Sequence, residues 1–255
     1  VTRWPGYAAV FLAGLLAGAG LILLFDSSSD DGGPPSPDCS FPPFTSDALE
    51  QAPPVTTGPG AEPSAAQART VLAESVVELQ VRVCFEDGAT LETRGTGILT
   101  TEGPPWRLLT ANHNVDARQW GAVRDLEIKV LRRGAFAGGA GTATVVRADP
   151  EADIAELAVE LPEGMVWQPA TPPAGLRGHA GGTISFLCYF ELDIRRGVLL
   201  EEVSRAGGVP TYELGVPAGP GCSGAGAVDQ AGELVGIVTQ ANSDVTRISS
   251  ITAFE

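Results

Sequence analysis

Ser223 stands in the run Val216-Pro-Ala-Gly-Pro-Gly-Cys-Ser-Gly-Ala-Gly-Ala-Val228, which packs glycines around a single hydroxyl. Glycine at 221 and 224 frees the backbone for a tight turn. Such a turn can aim neighbouring N–H groups at one point, as a developing oxyanion requires. A serine hydroxyl is a poor nucleophile until a base takes its proton, and the chain has only 2 histidines to supply one. Cys222, directly before the serine, is the rival nucleophile. Register favours Ser223, which alone has Gly221 two positions before it and Gly224 immediately after.

His113 closes Leu109-Thr-Ala-Asn-His113, where a short apolar strand runs into a polar segment suited to presenting an imidazole. Asp153 opens an alternating segment in which Ala155, Leu157 and Val159 share its parity. Period-two alternation places its carboxylate on the inward face. A buried carboxylate needs a partner, and an imidazole N–H is a suitable one. Asp149 and Glu151 are competing carboxylates, but Pro150 interrupts a strand between them, and Asp149 reads as the start of a turn. His179 lies in a glycine-rich stretch and reads as a solvated loop residue.

The order His113, Asp153, Ser223 resembles that of the chymotrypsin-fold (trypsin-like) serine proteases, as do Leu109-Thr-Ala-Asn-His113, Asp153-Ile-Ala155 and Gly221-Cys-Ser-Gly224. Within that family the chain is most similar to bacterial HtrA/Deg-like enzymes, through Gly95-Thr-Gly-Ile-Leu-Thr100 before the histidine and the strand-turn-strand run Ala227 to Thr239. An α/β-hydrolase is disfavoured because its nucleophile precedes its histidine. The resemblance spans roughly residues 74 to 252. It implies two six-stranded antiparallel β-barrels, with His113 and Asp153 from the first, Ser223 from the second, and the cleft between them as the site. It implies further that the N–H groups of Gly221 and Ser223 form the oxyanion hole. The pocket for the substrate side chain would be lined by Pro217, Ala218, Thr239, Gln240 and Ala241, none charged, favouring small or medium apolar residues. The family commonly has Gly-Pro where this chain has Ala225 and Gly226, so the alternative is a catalytically impaired, protease-like binding module.

The elements that must position these groups read as strands: Ser75–Phe85, Thr90–Thr100, Arg107–Ala111, Asp125–Arg132, Thr142–Ala148 and Ile154–Leu161, then, after a connection over Pro162–Gly178, Gly182–Phe190, Ile194–Ser204, Pro210–Leu214, Gly224–Asp229, Glu233–Thr239 and Thr246–Ala253. Gly and Pro punctuate them, as in an all-β fold. A short helix is expected over 66–74. Together these make a protease domain over residues 71–255, with no PDZ-like segment after the barrels and the last predicted strand close to the C-terminus.

Upstream, Tyr7 to Phe25 runs without a charge, long enough to span most of a hydrocarbon core at about 1.5 Å per residue. Arg3 before it and Asp26 after it leave the N-terminus cytoplasmic and the rest outside. Residues 1–25 thus read as a membrane anchor. A cleaved signal peptide is the rival, and both export the remainder. Residues 26–70, rich in Pro, Gly, Ser and Asp, form a linker with too little apolar surface to offset the entropy of ordering.

A net charge of −15 argues against nucleic acid and against anionic lipid bound through a basic surface; the resemblance implies protein or peptide substrates, and the apolar N-terminal segment implies the membrane. The 4 cysteines and 2 histidines show no metal-ligand spacing, and no cofactor is implied. Outside the membrane, disulfides are allowed, and chain proximity favours Cys39–Cys84 with Cys188–Cys222.

Overall fold

The structure, a computed structural model, describes residues 63–101, 105–132, 141–161, 163, 182–189, 194–206, 208–241 and 245–251. The expected anchor, most of the linker, Cys39 and His179 lie outside the described residues. Among the described residues no helix is long and apolar enough to cross a membrane.

Helix α1 (Pro63–Ser75) leads directly into β1 (Val76–Phe85), followed by β2 (Thr90–Leu99), β3 (Trp106–Ala111), β4 (Val123–Arg132), β5 (Gly141–Asp149) and β6 (Ile154–Glu160). The second half supplies β7 (Thr183–Leu187), β8 (Ile194–Ala206), β9 (Val209–Leu214), β10 (Gly226–Val228), β11 (Leu234–Ala241) and β12 (Thr246–Ser250). All twelve expected strands are present, with ends moved by a few residues at most where loop geometry intervenes. The expected helix over 66–74 begins three residues earlier, at Pro63, where proline needs no intrahelical N–H partner.

Each half closes into an antiparallel barrel. The order is β1-β2-β3-β6-β5-β4 in the first and β10-β11-β12-β9-β8-β7 in the second, the same circuit repeated. Inward-facing apolar side chains fill each lumen: Val77, Leu79, Val81, Leu99, Leu108 and Leu157 in the first, and Ile184, Phe186, Leu199, Leu214, Val235 and Ile248 in the second. A third cluster lies between them, where Ile98, Leu109 and Ile154 of the first barrel meet Leu187, Val228, Leu234 and Ile237 of the second. Ala68 and Leu72, four positions apart on one face of α1, join that cluster and fasten the helix across both barrels.

β2 records where the barrels meet. Its burial alternates from Thr90 to Arg94 and then becomes continuous from Gly95 to Leu99. The alternating part has one wet face; the continuous part has the second barrel on its outer face. Gly226 permits the approach, since a Cβ there would sit 2.3 Å from Ile98 Cδ1.

Candidate active site

The β3–β6 ladder runs to the pairs Thr110↔Ala155 and Ala111↔Ile154. It therefore delivers the residues after β3 opposite the residue before β6. One more ladder-like bond follows, from Asn112 N–H to the Asp153 carbonyl, 2.9 Å. The chain then coils into a 3-10 turn, Asn112–Asn114, that carries His113. Asp153 Oδ1 accepts from the His113 backbone N–H at 2.8 Å, and Asp153 Oδ2 lies 2.7 Å from His113 Nδ1. A carboxylate only accepts, so the shared proton belongs on Nδ1, and the tautomer this selects in a neutral imidazole is the one with Nε2 as the acceptor.

Asp153 reaches this position by a route the alternation rule does not describe. Ala155, Leu157 and Val159 are inward-facing as expected, but β6 starts at Ile154. Asp153 itself has φ 55 in the preceding turn, as the one left-handed non-glycine among the described residues. Its side chain is partly exposed rather than buried in the barrel. A left-handed aspartate is uncommon and held in place only when its surroundings over-determine it. Here three bonds to residues 112 and 113 do so. Asp149 is the turn residue expected, its Oδ1 accepting from Glu151 N–H at 3.0 Å and Ala152 N–H at 2.9 Å.

A second short turn supports the histidine from behind. Asp116 accepts from Arg118 N–H and caps the 3-10 turn Ala117–Trp120, whose Gln119 amide donates to the His113 carbonyl. The Arg118 side chain also grips the Asp116 carboxylate, at 2.7 and 3.0 Å, and holds its carboxyl below the ordinary value.

Ser223 arrives from the other barrel. The β10–β11 ladder continues upstream of β10 through Val238 N–H to the Ala225 carbonyl, 2.9 Å, and Gly224 N–H to the Val238 carbonyl, 2.7 Å. These bonds seat the turn on β11. Gly221 and Gly224 both have positive φ, 85 and 88, which glycine adopts without strain. Ala225 does not share that conformation; it is fully buried and its N–H donates to the Cys222 carbonyl at 2.9 Å. Its methyl is therefore accommodated where the family commonly has glycine. Cys222 is bonded to Cys188, just beyond β7, as expected. Cys84 is disulfide-bonded too, and its expected partner Cys39 lies outside the described residues.

The first barrel engages the Gly221 and Ser223 carbonyls of the turn. Thr96 N–H donates to the Ser223 carbonyl at 2.9 Å, and Thr96 Oγ1 donates to the Gly221 carbonyl at 2.6 Å. Asn114 Nδ2 donates to the Ser223 carbonyl at 2.9 Å and to Thr110 Oγ1 at 3.1 Å, and that hydroxyl donates to the Thr96 carbonyl at 2.7 Å. By contrast, among the described residues neither the Gly221 nor the Ser223 N–H has an acceptor. The Ser223 hydroxyl likewise makes no hydrogen bond with His113 or any other described residue. The two are linked instead through Asn114, the neighbour of His113, on the serine's carbonyl.

Thr96, Thr110 and Asn114 are not among the residues singled out from the sequence. The one signal for Thr96 is its place between Gly95 and Gly97 in a strand, a small hydroxyl flanked by residues without side chains. The expected pocket residues flank the turn. Ala218 packs beside Val216 and Tyr212, the Pro217 carbonyl accepts from Arg195 Nη1 at 3.3 Å, Thr239 Oγ1 is 3.2 Å from Ser249 Oγ, and Gln240 Oε1 accepts from Arg247 Nη1 at 2.7 Å. Arg195 and Arg247 come from β8 and β12, so guanidinium groups adjoin a lining expected to be free of charge.

The solved structures similar to this chain include a serine endoprotease from Yersinia pestis, with TM-score 0.56 and 18% identity over 76% of this chain and 65% of that one. Another is the HtrA-type protease AlgW with a tripeptide, with TM-score 0.55 and 22% identity over 75% and 61%. This chain spans less than two thirds of the length of either. At such identities the likeness is one of fold. No curated protein matches the sequence. The model of the trypsin-like peptidase domain matches residues 95–237, from the glycine that opens the buried half of β2 to the middle of β11, more than half of the chain. The chain belongs to the trypsin-like peptidase family.

Proposed function

We propose that the protein is a serine endopeptidase, tethered to a membrane, that hydrolyses peptide bonds on the far side of it. Ser223 Oγ attacks the scissile carbonyl carbon while His113 Nε2 takes its proton. The carbonyl becomes an oxyanion held by the N–H groups of Gly221 and Ser223. His113 then gives the proton to the leaving amine as the C–N bond breaks, and water repeats the sequence to release the acyl group. Asp153 fixes the imidazole tautomer and stabilises its charged form.

The observation that carries this reading is the two-point hold of Asp153 on His113, together with a serine turn whose Gly221 and Ser223 carbonyls are bonded while the N–H groups of the same two residues have no acceptor among the described residues. The unmade bond between the Ser223 hydroxyl and His113 favours the second reading, a protease-like binding module. Catalytic hydrogen bonds are often long before substrate binds, and the comfortable backbone at Ala225 removes one reason for an impaired turn. Covalent labelling by a fluorophosphonate, abolished in Ser223→Ala, is expected of the endopeptidase; absence of labelling in the wild type, with peptide binding retained, supports the module.

Peptide substrates are in keeping with the tripeptide in the AlgW structure. Pro217 and Ala218 favour a small or medium apolar residue before the scissile bond, and a peptide-library digest showing strict cleavage after Arg or Lys overturns that preference. Export fits the cysteines, since disulfides persist in oxidising compartments and the described cysteines are all bonded. Alkaline phosphatase fused after residue 30 reports it: activity is expected outside the cytoplasm, and an inactive fusion rejects the tether's orientation.

A further inference from the structure

Thr96 is fully buried at the seam between the barrels, and its N–H and hydroxyl both bond across that seam. Its N–H holds the Ser223 carbonyl, its hydroxyl donates to the Gly221 carbonyl, and the same hydroxyl accepts from the Tyr189 N–H at 3.2 Å. Tyr189 follows Cys188, the disulfide partner of Cys222. One residue of the first barrel thus touches the nucleophile turn on both sides of Cys222, through its backbone N–H at Ser223 and its side chain at Gly221, and its side chain also meets the strand end to which Cys222 is bonded.

The peptide planes show what that contact controls. The Gly221 N–H belongs to the plane 220–221 and the Ser223 N–H to the plane 222–223. The plane between them, 221–222, carries the carbonyl that Thr96 holds. Its rotation sets the angle between the two free N–H groups. Gly221, at φ 85, has no Cβ to resist rotation; within the turn the plane has only the long bond from Cys222 N–H to the Gly219 carbonyl at 3.4 Å, so the short Thr96 bond from outside is the stronger restraint. We infer that Thr96 is a positioning residue for the oxyanion hole, keeping the 221–222 peptide turned inward so that the N–H groups of Gly221 and Ser223 converge on one point.

This rests on the endopeptidase reading, and the two fail differently. If wild-type protein neither hydrolyses peptides nor reacts with a fluorophosphonate, the endopeptidase reading fails. The inference on Thr96 is tested against a wild type that does both. Thr96→Val keeps the branched shape and removes the hydroxyl. It is expected to lower kcat on the order of 10²-fold with KM within about twofold, and to weaken a peptide boronate, which forms a tetrahedral adduct at the serine, by a similar factor. Thr96→Ser, which keeps the hydroxyl, is expected to restore kcat to within a few-fold. Wild-type kcat in folded Thr96→Val overturns the inference, as does an equal loss of boronate binding and of non-covalent product-peptide binding. Should the valine variant not fold, Thr96→Ala against Thr96→Ser decides the same question: equal kcat in the two overturns it.

Discussion

Asp153 holds His113 at two points, its Oδ1 on the backbone N–H at 2.8 Å and its Oδ2 on Nδ1 at 2.7 Å. One carboxylate thereby sets where the histidine's backbone sits, how its ring is turned, and which nitrogen carries the proton. The left-handed conformation of Asp153 brings it within reach of all three, so a replacement tests chemistry and local geometry separately.

Asp153→Asn keeps the shape but offers an amide where the carboxylate accepted. The imidazole is then favoured in the wrong tautomer, and kcat is expected to fall on the order of 10⁴-fold with the circular dichroism spectrum and urea midpoint little changed. Peptide hydrolysis under saturating substrate measures the first; a loss below tenfold excludes Asp153 as the orienting carboxylate.

Gly224 tolerates no side chain. A Cβ there would lie 1.9 Å from the Thr96 carbonyl oxygen and 2.2 Å from Thr110 Oγ1, at φ +88. Backbone strain and overpacking together predict that Gly224→Ala destabilises the protein on the order of 3 kcal/mol or more. A urea midpoint within error of wild type contradicts the seam geometry.

The Cys188–Cys222 bond closes a loop of sequence separation 34. Constraining that loop in the unfolded chain is worth about 3–4 kcal/mol in the chain-entropy model. A Cys188→Ala/Cys222→Ala double variant should unfold at correspondingly lower urea and show reduced peptidase turnover. Unchanged turnover shows that Thr96 and β11 hold the turn without the covalent link.

Asp116 supplies a pH test. Its hydrogen bond with the Arg118 side chain holds its carboxyl below the ordinary 3.8, so the folded protein binds its proton less readily than the unfolded chain. The stabilisation is complete above that ordinary value and is lost as the pH falls through the folded one. The stability gap between wild type and Asp116→Asn should therefore be constant near neutrality, narrow below pH 3.8, and close once the folded carboxyl is protonated. Urea titrations across that range measure it, and a gap that widens in acid contradicts the assignment.

The strands were legible because each barrel wall alternates wet and dry faces, as in the expected β6 positions Ala155, Leu157 and Val159. The seam was less so. From Gly95 to Leu99 alternation gives way to continuous burial, because a remote segment, the serine turn, covers the outer face, and no local pattern announces that. Ser223 stood out in the sequence by its neighbouring glycines, His113 by its place at the end of an apolar strand, and Asp153 by its place at the start of an alternating one. Thr96, Thr110 and Asn114 were not, since a threonine in a strand suits β propensity alone, and their partners are brought to them only by the docking of the barrels. The 3-10 turns at Asn112 and Ala117 are too short to leave a periodic signature.

Both sheets close on themselves. A sheet without a rim offers a neighbouring copy no row of unpaired backbone groups to zip onto, so crowding on a surface does not by itself template strand-to-strand aggregation. Val145 and Val146 on β5, and Val198, Leu200 and Val203 on β8, are exposed; Val145 and Val198 pair within the barrels, whereas Val146, Leu200 and Val203 sit at register shifts. Irregular strand at those positions makes a poor template, so self-association through these valines and leucine would rest mainly on greasy side-chain contact, weak and readily reversed by dilution.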